Sequence, residues 1–309
     1  MKKLFVAIAT LCLAAAVASA QDFNAAVDAF NAGAQAMETN KTEALAKFRS
    51  ALEMAQACTE EDTAEFISKC KTAITGALLS IAKEQINEAA YDEALATLAE
   101  AKTVAAEYEE AEAAAEVATL VPNVYMRKGS TQMSNKDFAG AAATFKELVA
   151  LNPEDGKANL LLGQALMQGG NTDAAIEALT KANELGEANA AKLLSTAFLR
   201  EGQSLLKAGK NLEAVAALEK SNSFVESANA YKLIASANTK LGKSKAAIEA
   251  YKKYLEVSPD AKDAADVMFT IAATAQKASD KATAIEYYKK LSGTKYAEQA
   301  KAQLAALQK

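Results

Sequence analysis

The sequence predicts an all-α protein built from repeated helical hairpins. The first observation is composition, since the chain is rich in alanine, leucine, glutamate and lysine, which favour helix, and has only three prolines in 309 residues. The second is an internal repeat in which residues 125–129 align with residues 159–163, Ala141 with Ala175, and Phe145 with Leu179, each pair 34 residues apart. A fixed period of this length indicates stacked supersecondary units that share a continuous core.

The first twenty residues have the pattern of a secretory signal. Lys2 and Lys3 precede an apolar run, residues 4–17, and the small residues 18–20 follow it. We therefore expect cleavage after Ala20 and export of the remaining 289 residues. Cys12 lies inside the apolar run, where a lipid-modified cysteine is not expected. No later stretch approaches the ~20 apolar residues of a transmembrane helix, so we expect none in the mature chain.

Charge is distributed unevenly along the exported part. Residues 21–121 have 19 acidic and 7 basic side chains, whereas residues 122–309 have 20 acidic and 25 basic ones. The net charges of −12 and +5 suggest different partners at the two ends, or head-to-tail contact between copies of the chain. Chance variation in the charge of solvated helix faces is the alternative.

Two cysteines remain after the predicted cleavage, Cys58 and Cys70. An even number of cysteines in an exported protein favours a disulfide, which would tie the end of one helix to the next. Two buried thiols are the alternative.

The clearest repeat, residues 122–153, has the pattern of two antiparallel helices. Apolar residues at 138, 141, 145 and 148 lie on one helical face. Because proline lacks an N–H and disfavours helix in the residue before it, we expect the second helix to end at Asn152. Gly129 and Ala141 are small, and this allows the two helices to approach closely.

This pattern of a large residue, a glycine, a polar turn, a second-helix alanine, a large apolar residue and a closing proline resembles the tetratricopeptide repeat. Further copies follow at residues 156–189, 195–227, 228–261 and 265–294, and two divergent copies precede residue 103. The resemblance implies a right-handed α-solenoid of about seven units. We divide the chain into a signal peptide (1–20), divergent units with an acidic helix extension at 103–119 (21–121), regular units (122–294) and a capping helix (295–309).

Chemistry that would indicate an enzyme is missing from the sequence. The chain has no histidine, so Ser-His-Asp and Cys-His catalytic arrangements and histidine-containing zinc sites are excluded. Residues 242–244, Gly-Lys-Ser, lack the earlier glycine and the preceding strand of a phosphate-binding loop. A sequence pI of about 5.2 disfavours nucleic acid. We expect a protein that is not an enzyme and has no cofactor or metal.

The resemblance implies that the first helix of each unit lines a concave groove that binds peptides. Seven residues map to that surface in the last three units: Gln203, Lys207, Asn229, Lys232, Lys240, Gln276 and Lys277. Lysines beside amides suit an acidic peptide or a terminal carboxylate. The dicarboxylate clamp of the family is not reproduced, since Ser236 replaces its asparagine. The alternative is that the lysines only solubilise helix ends and favour the helix dipole.

The sequence therefore predicts a non-catalytic scaffold that binds a protein or peptide in the bacterial periplasm, with association to the outer membrane as a further option. A self-assembling envelope protein, joined head to tail into a homo-oligomer, is the second hypothesis. An enzyme that uses serine, lysine or carboxylate groups in the groove is the third.

Overall fold

The computed structural model describes residues 23–58 and 63–307. The predicted signal peptide, with Cys12, lies outside the described residues. Throughout the described ranges the regular elements are α-helices, so the predicted all-α class is confirmed. Among those residues no helix combines the length and apolarity needed to cross a membrane.

The chain divides into two compact units, Met1–Tyr125 and Met126–Lys309. The first unit contains α1 (Phe23–Ala36), α2 (Lys41–Ala57), α3 (Thr63–Asn87) and α4 (Tyr91–Glu107), and the boundary falls within α5 (Ala111–Ser134). The second unit continues with α6 (Phe138–Leu151), α7 (Gly156–Gln168), α8 (Thr172–Glu184), α9 (Ala190–Lys207), α10 (Asn211–Phe224), α11 (Ala228–Lys240), α12 (Ser244–Val257), α13 (Ala264–Lys277), α14 (Lys281–Lys290) and α15 (Ala297–Leu307).

Helices pack in the order of the chain within each unit. In the first unit each helix from α1 to α4 contacts the next, and in the second unit the same holds from α6 to α15. Odd-numbered helices up to α13 are the first helices of hairpins, and the helices that follow them are the second helices. First helices also meet each other, because α7 contacts α9 and α9 contacts α11.

Short turns join the two helices of a hairpin, and in every hairpin from α3–α4 to α13–α14 one residue of the turn has a left-handed backbone. Glycine occupies this position at Gly170, Gly209 and Gly242, with φ between 70° and 83°. The equivalent residue is Lys136, with φ 61°, in the α5–α6 turn. Gly242 therefore belongs to a hairpin turn, as the sequence predicts.

The acidic stretch at residues 103–119 differs from the expected continuous helix extension. Helix α4 ends at Glu107, and Glu109 has a φ of 60° in the turn before α5 begins at Ala111. The reason is that a left-handed residue cannot continue an α-helix. Pro122 lies inside the 24-residue α5.

Helix α15 covers the last hairpin, as expected of a capping helix. Ala300 is buried, and Leu304 and Leu307 pack against the core of α13 and α14. Just before α15, the ring of Tyr296 stacks on Phe269 with centroids 4.6 Å apart. The apolar face of the last hairpin is therefore shielded from solvent.

Candidate protein-interaction surface

Each hairpin is closed by a small residue of its first helix that lies under a large residue of its second helix. In the second unit Gly129 lies under Phe145, Gly163 under Leu179, and Gly202 under Leu218. A Cβ atom at any of these glycines would lie 2.4–2.6 Å from the facing side chain. The helices can therefore approach closely only because the side chain is missing, and this fixes which residues of the first helix face outward.

Three of the predicted binding residues occupy equivalent positions on consecutive hairpins. Lys207, Lys240 and Lys277 are the last residues of α9, α11 and α13, and all three are exposed. Within the described part of the chain none of them forms an ion pair or a side-chain hydrogen bond. Their charges also interact favourably with the negative end of each helix dipole.

Lys232 is not available in the same way. Its ammonium group forms an ion pair with Asp263, the N-cap residue of α13, and lies 5.5 Å from the ring centroid of Tyr254. The hydroxyl of Tyr254 donates to the other carboxylate oxygen of Asp263. Hydrogen bonds from Lys232 and then Tyr254 lower the pKa of Asp263, and the bond to Asp263 raises the pKa of Lys232. Lys232 therefore joins α11 to α13.

The predicted amide residues also differ in whether their side chains already form contacts within the protein. Gln276 accepts a hydrogen bond from the Tyr288 hydroxyl at 2.8 Å and donates to Gln303 at 3.0 Å, so both ends of its amide are engaged within the protein. Asn229 is exposed near the start of α11, and Gln203 is half-buried on α9. The remaining candidates are therefore the three terminal lysines with Asn229 and Gln203.

The predicted disulfide does not form in the structure. Cys70 is a free thiol, fully buried on the core face of α3. The Sγ atom of Cys58 donates to the carbonyl of Met54 at 3.3 Å, within its own helix end. Burial raises the pKa of Cys70 to about 11. The thiol therefore serves as a small apolar group in the core.

One surface feature was missed by the sequence reasoning, a groove between α6, α7 and α8 with a volume of about 700 Å³. The repeat alignment contains a sequence feature that accompanies this groove. Asn159 occupies the position that Tyr125 has in the preceding repeat, so the repeat loses a large side chain there.

No group of three or more histidine, cysteine, aspartate or glutamate side chains in residues 23–58 and 63–307 could hold a metal ion. Strongly shifted acids or bases also do not gather in a pocket. Four described carboxyls have a lowered pKa, each because of hydrogen bonds from neighbouring residues: Glu65 from Lys69, Asp263 from Lys232 and Tyr254, Asp266 from Lys295 and Tyr296, and Asp280 from Thr283.

Comparison with known proteins gives the family of the repeats. The family model of the tetratricopeptide repeat matches residues 126–190 and 199–266. These residues, 133 of the 309 in the chain, are thus similar to tetratricopeptide repeats. The matched part begins in α5 and ends in α13, and it contains the hairpins with glycine at the contact point.

Solved structures with the same kind of fold include MamA (residues 41 to the end) from Desulfovibrio magneticus RS-1. It is 21% identical, covers 55% of this chain and 92% of its own, and has a TM-score of 0.35. YrrB, described as a TPR protein with an unusual peptide-binding site, is 16% identical over 59% of this chain and 91% of its own, with a TM-score of 0.35.

The TPR domain of P58(IPK) is 14% identical, covers 92% of this chain and 97% of its own, and has a TM-score of 0.27. A search of curated protein sequences gives no significant match.

Proposed function

We propose that this protein is a non-catalytic scaffold that binds an acidic segment of a partner protein across the ends of its first helices. The observation that carries the proposal is the row of exposed lysines that end three consecutive first helices, Lys207, Lys240 and Lys277, none of which has a partner in the described part of the chain. Three unpaired cations at equivalent positions can each bind one carboxylate of an extended peptide, through charge-assisted hydrogen bonds.

The amides near this row extend the surface. Gln203 lies four residues before Lys207 on α9, one turn away on the same helix face, and Asn229 is exposed at the start of α11. Amide groups offer both a donor and an acceptor to a peptide backbone. Lys232 and Gln276 already form contacts within the protein and are excluded from the proposed binding surface.

Charge reversal tests the proposal. The variant with Lys207, Lys240 and Lys277 all changed to glutamate is compared with a matched control, in which Lys220, Lys253 and Lys289 of the second helices of the same hairpins are changed to glutamate. Both variants alter net charge equally. Binding of a fluorescein-labelled 12-residue peptide rich in aspartate and glutamate is measured by fluorescence polarisation.

We expect at least tenfold weaker binding in the first variant and a much smaller change in the control. Binding of the unaltered protein should weaken as salt rises from 0.05 to 0.5 M, because exposed charge pairs are screened. If both variants lost the same amount of peptide affinity, net charge would explain the effect and the proposed binding surface would be wrong.

The same proposal places the protein in the bacterial periplasm, supported by the charged, apolar and small-residue pattern of residues 1–20. Fusion of these residues to a reporter enzyme that is active only after export provides the test. An inactive reporter would contradict the assignment.

Head-to-tail association of copies is a second candidate, favoured by the net charges of −12 and +5 in the two parts of the chain. Concentration-dependent light scattering that collapses in high salt would support it. A monomer at all concentrations in low salt would exclude it.

A further inference from the structure

The groove between α6, α7 and α8 shares no residue with the row of terminal lysines. Its walls are the second helices of two consecutive hairpins, α6 and α8, and α7 forms the floor between them. The walls are lined by alanine, with Ala142 and Ala143 on α6 and Ala174 and Ala178 on α8. Short wall side chains leave the floor accessible over a volume of about 700 Å³.

A groove of about 260 Å³ lies at the same register of the α9 hairpin, and one residue in the repeat register distinguishes the larger groove at α7 from it. Four positions before the small contact residue of the first helix, the other hairpins of this region carry a large side chain: Tyr125, Phe198, Tyr231 and Met268. The α7 hairpin carries Asn159 instead. The ring of Phe198 shows what such a side chain does, since it is nearly buried and stacks on Phe224 of its own second helix at 5.9 Å.

Asn159 cannot fill the groove itself, because its side chain is turned toward the backbone. Its amide nitrogen donates to the carbonyl of Pro153 at 3.0 Å and to that of Asp155 at 2.9 Å, and the residue is 4% exposed. Leu162 and Leu166 are left half-buried on the floor. The groove therefore has an apolar floor where neighbouring hairpins hold an aromatic ring.

Charge differs between the two rims. On α6, Lys146 is exposed and forms no ion pair with any described residue. On α8, Lys181 already forms an ion pair with Glu154 at 2.8 Å, and Glu177 lies one turn before it. A carboxylate entering the groove is thus attracted to the α6 rim and is not favoured at the α8 rim.

We propose that this groove binds a segment of a partner protein that inserts an aromatic side chain over Leu162 and Leu166 and places a neighbouring carboxylate beside Lys146. An aromatic ring is the occupant that the repeat register favours, because the ring of Phe198 occupies the equivalent position in the next hairpin. Its burial between alanine walls supplies the apolar contact area, and the unpaired lysine selects the flanking acid. This surface is independent of the terminal lysines.

Selection of peptides tests the proposal with the mature chain. A random 12-residue phage-displayed library is selected in parallel on the unaltered protein and on Ala143→Tyr, a variant that places an additional ring in the groove from an exposed position. The matched control is Ala96→Tyr, which changes the exposed alanine at the equivalent register position of α4. The affinity of a synthetic consensus peptide for each variant is then measured by fluorescence polarisation, and circular dichroism checks that each variant is folded.

We expect enriched peptides to carry phenylalanine, tyrosine or tryptophan within a few residues of aspartate or glutamate. Their affinity should fall at least tenfold for Ala143→Tyr and for Asn159→Phe, and stay within twofold for Ala96→Tyr. Lys146→Glu should weaken binding, and a peptide with its acid changed to lysine should restore it. The Lys207, Lys240 and Lys277 reversal should leave this binding intact, which separates the two surfaces.

Recovery of the same peptides by the unaltered protein and by Ala143→Tyr would overturn the proposal. Enrichment of peptides without an aromatic residue, or loss of binding only in the terminal-lysine variant, would overturn it as well.

Discussion

Phe145 covers Gly129 so closely that a Cβ atom at residue 129 would lie 2.4 Å from the Cε1 atom of its ring. Phe145 has no exposed surface, so the ring cannot move aside without disturbing its neighbours. We expect Gly129→Ala to lower the free energy of unfolding by about 1–3 kcal/mol, the usual range for overpacking a core. Urea denaturation followed by circular dichroism measures this.

Gly76 provides the matched control. It also lies inside a helix, α3, but a Cβ atom there would meet nothing within 4 Å. Gly76→Ala should therefore raise the free energy of unfolding by about 0.5–1 kcal/mol, since alanine favours helix. If both glycine variants changed stability in the same direction, the close contact would not explain the result at residue 129.

The left-handed residue of the α5–α6 turn gives a second prediction. Lys136 has a φ of 61°, whereas three other hairpin turns have glycine at this position. Lys136→Gly should stabilise the protein by about 0.5–1 kcal/mol, because relief of the backbone strain exceeds the greater entropy of glycine in the unfolded chain. Gly209 has a φ of 75°, so Gly209→Ala should destabilise the protein. A destabilised Lys136→Gly variant would contradict this account.

The contact between Lys232 and Asp263 predicts a pH dependence. Because the folded protein lowers the pKa of Asp263 below 3.8, the carboxylate contributes stability that is complete above pH 3.8 and is lost as the pH falls through the lower folded value. Asp263→Asn should therefore reduce the thermal unfolding midpoint at pH 7, and the difference from wild type should shrink toward pH 2. If the difference in unfolding midpoint stayed constant from pH 7 to pH 2, the charge of Asp263 would not contribute to stability.

The buried thiol predicts how the cysteines react. Since burial holds the pKa of Cys70 at about 11, only about one thiol in a thousand is ionised at pH 8, and the group is also inaccessible. In the Cys58→Ser variant of residues 21–309 we expect reaction with a thiol reagent to require denaturation. For the unaltered protein, absence of titratable thiol after denaturation without reductant would show that the cysteines are bonded.

The local architecture was accessible from sequence for a physical reason. Phe138, Ala141, Phe145 and Leu148 fall on one face of α6, and their spacing alone specifies which face is buried. The turn at residues 107–111 could not be predicted from the sequence, because glutamate at position 109 does not indicate a left-handed backbone. Only the packing of α4 and α5 as separate helices requires it.

The candidate site was predicted in part. The resemblance to the repeat family placed Lys207, Lys240 and Lys277 near the ends of first helices, and they are the last residues of α9, α11 and α13. Periodicity could not show that Lys232 meets Asp263, because the two residues are 31 positions apart and belong to different hairpins.

The sequence by itself determined the helices, their pairing into hairpins and the small residues at each contact, because these depend on spacing along a single hairpin. The tertiary structure decided which polar groups are free to bind and where a groove opens. Those properties depend on side chains from adjacent hairpins, such as Ala143 and Asn159, whose separation is set only when the helices pack.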